Sequence, residues 1–240
     1  MLESKQNWVV IPATGTGQRM LADRPKQYLQ LQNKTVLEHT LDNLLSHTGI
    51  CGAVLILNEA DEYWSSLAYQ HDKPVLICTG GKERLNSVFN GLTFLTEHVE
   101  GNPFVLIHDA VRPFVSHQDL DNLLKAVRDN PHGALLAVPV NDTLKLADDD
   151  QCVKTTYPRE RLWRAMTPQV FKLDIILQAL ATVVKNRMTI TDDAGAMELM
   201  GLHPKLVAAS ELNIKITRPE DMQLALIILR SSEKSSTDLC

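Results

Sequence analysis

Residues 8–27 read WVVIPATGTGQRMLADRPKQ. The apolar run Val9-Val10-Ile11 has the β-branched composition of a short buried strand, and it stops at Pro12. A loop of small residues follows, from Ala13 through Thr14 and Gly15 to Gly17, and then come two cations, Arg19 and Lys26. A strand that opens into a loop free of bulky side chains brings backbone N–H groups close to an anion. Pro25 fixes one backbone angle just ahead of Lys26 and favours a positioned lysine. The two glycines alone ask only for a strand-to-helix turn. The third glycine of a dinucleotide fingerprint is missing, and so is the Gly-Lys-Ser/Thr ending of a P-loop. A nicotinamide dehydrogenase is therefore disfavoured. Several cations beside such a loop suit a nucleoside triphosphate.

Outward from this stretch, short apolar runs alternate with amphipathic ones. Strands are expected at Trp8–Ile11, Ala53–Leu57, Val75–Cys78, Phe104–Ile107, Ala134–Val140 and Leu206–Ala209. Most are continuous apolar runs, as in a parallel sheet covered on both faces. Leu37, Leu41, Leu44 and Leu45 share one helical face, as do Val88, Leu92, Leu95 and Val99. Ser116 with Asp119 marks another helix start, and Thr217 with Glu220 has capping-box spacing. The pattern predicts an α/β fold with a Rossmann-like, doubly wound, mostly parallel sheet. One domain spans residues 1–230, and a polar tail, 231–240, is expected to fray. Residues 141–158, NDTLKLADDDQCVKTTYP, break the rhythm and predict a projecting β-hairpin arm. A lone hairpin is marginal in water, so a partner subunit is expected to pack on it.

Composition sets outer limits. The chain has 240 residues and a net charge of -5, which disfavours general nucleic-acid binding. Its four cysteines form no C-x-x-C pair; Cys51 and Cys78 sit in or beside apolar segments and read as reduced thiols, and a disulfide framework is disfavoured. No run reaches the ~20 apolar residues of a membrane helix. No signal peptide is recognised, and a cytoplasmic location is expected.

Three further stretches carry candidate chemistry. In Thr79-Gly80-Gly81-Lys82-Glu83-Arg84-Leu85-Asn86-Ser87 a strand ends, two glycines turn the chain and a helix begins, with Ser87 placed to bond a base edge; an ordinary βα loop reads the same way. His108-Asp109-Ala110-Val111-Arg112-Pro113 puts a carboxylate at the end of a strand, where α/β ligands bind. One carboxylate holds Mg²⁺ when phosphates supply other ligands. Arg112 suits an anionic substrate, and His108 reads as a packing residue. Asn213 to Thr217 places Lys215 in a short strand, either facing a phosphate or guarding an edge.

PATGTGQRM, RPKQYL, GGKERLNSV, HDAVRPF, PVNDTLK, LWRAMTPQ, ITDDAGAMELMG and NIKITRPED, in that order, resemble the 2-C-methyl-D-erythritol 4-phosphate cytidylyltransferases. The resemblance runs from about Trp8 to Leu229. It implies a homodimer with crossed arms, CTP and a sugar-alcohol phosphate as substrates, and Mg²⁺ or another divalent ion. It implies that Pro12, Ala13, Thr14, Gly15, Gly81 and Ser87 hold the cytidine and ribose. Arg19, Lys26 and Lys215 would be the catalytic cations around the triphosphate. Asp109 would bind the metal and help place the polyol. Arg112, Thr143, Arg159, Thr167 and Thr191 would form the methylerythritol-phosphate pocket, with Arg159 and its arm from the neighbouring subunit.

Three positions depart from the family pattern. Thr14 replaces the second alanine of Pro-Ala-Ala-Gly, Lys82 stands where an acidic residue is usual, and Gln18 where a basic one is frequent. The resemblance implies CMP transfer with release of pyrophosphate. Ribitol-5-phosphate as acceptor is the near alternative, and a catalytically silent nucleotide-binding regulator the remoter one.

Overall fold

The computed structural model describes residues 7–15, 20 and 22–237, with side chains as far as Ser231. Its elements run β1 (Asn7–Pro12), a 3₁₀ turn (Lys26–Tyr28), β2 (Gln30–Leu31), β3 (Lys34–Thr35), α1 (Val36–Leu45), β4 (Gly52–Leu57), α2 (Trp64–Leu67), β5 (Val75–Thr79), α3 (Arg84–Thr96) and β6 (Phe104–Ile107). There follow α4 (His117–Asp129), β7 (Ala134–Pro139), β8 (Leu144–Ala147), β9 (Val153–Tyr157), β10 (Trp163–Lys172), α5 (Leu173–Lys185), α6 (Asp193–Leu199), β11 (Lys205–Ala208) and α7 (Pro219–Thr237).

The main sheet has the order β11-β7-β10-β6-β1-β4-β5. Within it β1 pairs parallel with β4 and β6, β4 with β5, and β11 with β7, while β10 alone runs antiparallel, between β6 and β7. Strand alternation divides the core. Val9 and Ile11 face Leu37, Leu41 and Leu44 of α1 and the apolar stripe of α4. Val10, Val54 and Ile56 face α3, α5 and α6 on the other side. Residues on both faces are excluded from water, which is why these strands read as unbroken apolar runs.

Helix starts follow local chemistry. Thr35 and Glu38 close a capping box on α1, which was not anticipated, while at α4 the Ser116 hydroxyl accepts from the Asp119 N–H as expected. At α7 the expected partner is wrong by one residue. Asp221, not Glu220, accepts from the Thr217 N–H, the Thr217 hydroxyl and the Arg218 N–H. Pro219 does open the helix, which continues to Thr237, past the position where the polar tail was expected to begin.

Two other readings need correction. Residues 163–172, where no strand was expected, form β10, an interior strand of the sheet. Pro168 has no N–H to give the ladder, and the pairing with β7 shifts between Ala165 and Gln169. Asn213–Thr217 is no strand. It is a loop segment pinned by the Ile216 N–H to the Val111 carbonyl, 3.0 Å. The arm does form, as the separate hairpin β8–β9, exposed throughout.

Candidate active site

The sheet reverses its winding between β1, which leads outward through α1 to β4, and β6, which returns to the other side of β1. Ligands of open α/β sheets bind at the carboxyl ends of strands at such a point. A cavity of about 420 Å³ lies there, lined by Pro12, Ala13, Thr14, Gly15, Lys26, Gln27, Asn58, Lys82, Glu83, Arg84, Asp109, Ala110, Val111 and Lys215. A roomier concavity by Trp64 and Lys73, about 590 Å³, lies away from this crevice and contains no predicted site residue.

Each wall has a local cause. The Ala13 N–H continues the β1–β4 ladder to Ile56, 2.8 Å, and the Gln27 amide donates to the Ala13 carbonyl, 2.7 Å. Gln27 and Tyr28 are buried in the 3₁₀ turn, and Tyr28 is anchored to Asp61 at 2.8 Å. That anchorage places Lys26 on the cavity wall, its ammonium 3.1 Å from the Ile216 carbonyl. Opposite, a Cβ on Gly80 would meet the Thr14 methyl at 2.3 Å, and one on Gly81 would meet Asn86 at 2.3 Å. Only glycines let the loop before α3 approach this closely. The Ser87 hydroxyl accepts from the Gly81 N–H, 3.1 Å, and lies 3.3 Å from Thr14. Ser87 is fully buried and donates to the Glu83 carbonyl, so it braces the wall from behind.

Asp109 is the electrostatic centre. Its Oδ2 lies 3.0 Å from Lys215 Nζ and 3.1 Å from Arg112 Nε, and its Oδ1 lies 3.9 Å from Arg84 Nε. Burial on its own would raise this carboxyl; the three cations outweigh it and hold it well below the usual carboxylate range. Arg84 also grips Asp193 through two bonds of 2.9 and 2.7 Å. Burial would lower the Arg84 guanidinium, but Asp193 and Asp109 raise it, so it stays charged.

The structure thus brings Pro12, Ala13, Thr14, Gly15, Lys26, Asp109 and Lys215 onto one cavity. Gly81 and Ser87 stand behind it. Arg112 lines a smaller cavity of about 270 Å³ with Arg164, Glu211 and Lys215, and Lys215 borders both. Thr167 is buried behind Asp109, where its hydroxyl accepts from the Asp109 N–H at 3.0 Å. Thr191 is exposed, just ahead of Asp192, the N-cap of α6. Thr143 and Arg159 lie on the arm and line neither cavity of their own chain; the Arg159 guanidinium donates to the Asn141 carbonyl. Arg19 lies outside the described residues, as do Gly17 and Gln18.

Arg84, Gln27 and Asn58 were not expected on the cavity. Arg84 carried a signal, since it opens the helix straight after the glycine turn, where a cation meets an anion bound at a helix N-terminus. Asn58 carried none. No group of three His, Cys, Asp or Glu suited to a metal occurs among the described residues. Asp109 is nevertheless ionised at the wall, with Arg84 3.9 Å from its Oδ1 and Lys215 and Arg112 on its Oδ2. It suits a divalent ion that brings most of its ligands with a nucleotide.

Comparison with known proteins agrees with this geometry. The family model described as 2-C-methyl-D-erythritol 4-phosphate cytidylyltransferase matches residues 8–231. The chain is 44% identical over 227 residues to the protein of that name from Aliivibrio fischeri, covering 95% of each. It is 48% identical over 216 residues to the one from Haemophilus influenzae, covering 90% of this chain and 93% of that one. Among solved structures, a 4-diphosphocytidyl-2C-methyl-D-erythritol synthase superposes with a TM-score of 0.82 at 32% identity, over 95% of this chain and 100% of that chain.

Proposed function

We propose that the cavity between β1 and β6 is where this chain, which belongs to the 2-C-methyl-D-erythritol 4-phosphate cytidylyltransferase family, joins its two substrates. The activity follows from the family: the enzyme transfers CMP from CTP to 2-C-methyl-D-erythritol 4-phosphate, giving 4-diphosphocytidyl-2-C-methyl-D-erythritol and pyrophosphate, a step of isoprenoid precursor synthesis. The proposal concerns which residues do what.

A phosphate oxygen of the methylerythritol substrate attacks the α-phosphorus of CTP, and pyrophosphate departs. The nucleophile is already an anion, so no general base is required. The barrier comes from bringing two phosphates together. Lys26, Lys215 and Arg19 offset that repulsion and stabilise the charge gathered at phosphorus. Pro12, Ala13, Thr14 and Gly15 hold the cytidine, and Gly81 and Ser87 fix the shape of its pocket. Mg²⁺, held by Asp109 together with nucleotide phosphates, supplies further positive charge when bound. Arg112 and Thr191 border the acceptor, and Thr167 supports it through Asp109. Thr143 and Arg159 reach an acceptor across a homodimer, since their own cavity lies away from them. A cytoplasmic location completes this reading; no helix among the described residues is long and apolar enough to cross a membrane.

The observation that carries the assignment is the convergence of Lys26, Lys82, Arg84, Lys215 and the Asp109 carboxylate on the wall of one cavity. Pyrophosphate release, measured with each nucleoside triphosphate and with methylerythritol or ribitol phosphate, tests it. The expected pair is CTP with methylerythritol phosphate. Lys26→Ala is expected to slow turnover on the order of a hundredfold while weakening CTP binding far less. Unchanged turnover would remove Lys26 from the catalytic set.

A further inference from the structure

Behind the cavity His108 is fully buried, yet every polar atom of its ring is engaged. Its Nε2 lies 3.0 Å from the Arg112 carbonyl oxygen, and its Nδ1 lies 3.2 Å from the Thr167 hydroxyl. A carbonyl only accepts, so Nε2 carries the proton. In a neutral imidazole Nδ1 then only accepts, and the Thr167 hydroxyl must donate to it. The same hydroxyl accepts from the Asp109 N–H at 3.0 Å. Both ends of this chain are backbone groups of fixed polarity, so its direction cannot reverse.

We propose that His108 is a positioning residue for the reaction assigned above: it orders a one-way hydrogen-bond chain from the Asp109 N–H through Thr167 and His108 to the Arg112 carbonyl, and so presets the Asp109–Arg112 pair. This proposal rests on that assignment. The chain spans a tight turn, in which the Arg112 N–H also bonds the Asp109 carbonyl at 3.2 Å. His108 closes the turn from inside. The Arg112 guanidinium then meets the Asp109 carboxylate at 3.1 Å and the Asn213 carbonyl at 2.7 Å. Asn213 in turn donates its amide to the Thr167 carbonyl, 2.8 Å, tying the turn to β10. Thr167 has its only proton committed to His108, so it offers no donor to a substrate and acts through Asp109. The ring lies fully buried with a carbonyl and a hydroxyl as its hydrogen-bond partners, an environment that suits a neutral imidazole with Nδ1 as acceptor.

The test combines spectroscopy with kinetics. ¹⁵N spectra of the full-length protein should show His108 as the Nε2-protonated tautomer; an Nδ1-protonated ring would overturn the proposal. That readout needs no turnover, so it separates this proposal from the assignment of function, which fails if the wild type makes no pyrophosphate. Thr167→Val, close in shape but without the hydroxyl, should raise the KM for methylerythritol phosphate about tenfold and leave the KM for CTP within threefold. Thr167→Ser should restore wild-type values within twofold. His108→Phe combined with Thr167→Val should be no worse than the poorer single variant, as for two links of one chain. Additive losses, or a Thr167→Ser variant as poor as Thr167→Val, would overturn the proposal. Should His108→Phe not fold, the Thr167 pair and the tautomer still decide.

Discussion

Asp109 and His108 are neighbours with opposite demands. Asp109 must stay ionised among cations, and His108 must stay neutral in the dry interior behind it. His108 gives a pH signature with a definite sign. Its ordinary value of 6.5 falls to about 4 in the folded protein. Between those values the unfolded chain takes up a proton that the folded one refuses. Stability conferred by the neutral ring is therefore complete above pH 6.5 and lost as pH falls towards 4, on the order of 3 kcal/mol. Urea unfolding across that range should show the wild type losing stability on acidification and His108→Phe losing distinctly less. Equal slopes would contradict the shift. Asp109, held low by Lys215, Arg84 and Arg112, loses its own contribution at more acid pH. At this scale the place of Lys26 and Asp109 on the cavity was legible because each follows a recognisable strand or turn, whereas Lys215 reaches it from a segment misread as a strand. His108 was read as mere packing. Its two partners, Thr167 and the Arg112 carbonyl, come from a strand that the pattern did not reveal and from a backbone atom.

At the scale of elements, the arm and β10 teach opposite lessons. The arm was legible because it alternates weakly around an acidic turn with no helix between its halves. It carries Leu144 and Leu146 opposite Tyr157 and Thr155, with Val153 65% exposed. Apolar side chains on so thin an element call for a second surface. Leu146→Asp should shift the protein towards monomer in sedimentation and lower turnover at dilution. The melting temperature of the monomeric domain should hardly move, since exposed substitutions usually cost within about 0.5 kcal/mol. An unchanged oligomeric state and activity would remove the arm from the proposed interface. β10 was not legible. Thr167, Pro168 and Gln169 interrupt its apolar content, and its antiparallel place between β6 and β7 depends on pairing across distant sequence. The Lys215 segment failed in the other direction: its alternating isoleucines look like a strand, but Ile216 is held by a loop carbonyl and packs against α7.

For the whole molecule, the winding reversal between β1 and β6 locates the chemistry before any residue is considered. The doubly wound order was readable from strand–helix alternation; the single antiparallel insertion was not. One crevice then gathers a loop without bulky side chains, the start of α3 and the turn after β6. The central claim is that these parts surround one triphosphate. A crystal structure of the protein soaked with CTP and Mg²⁺ tests it most directly. Nucleotide density is expected in the β1–β6 crevice, with the triphosphate within hydrogen-bonding distance of Lys26 and the metal on Asp109. A nucleotide seated elsewhere, with Lys26 and Lys215 making no phosphate contact, would contradict it.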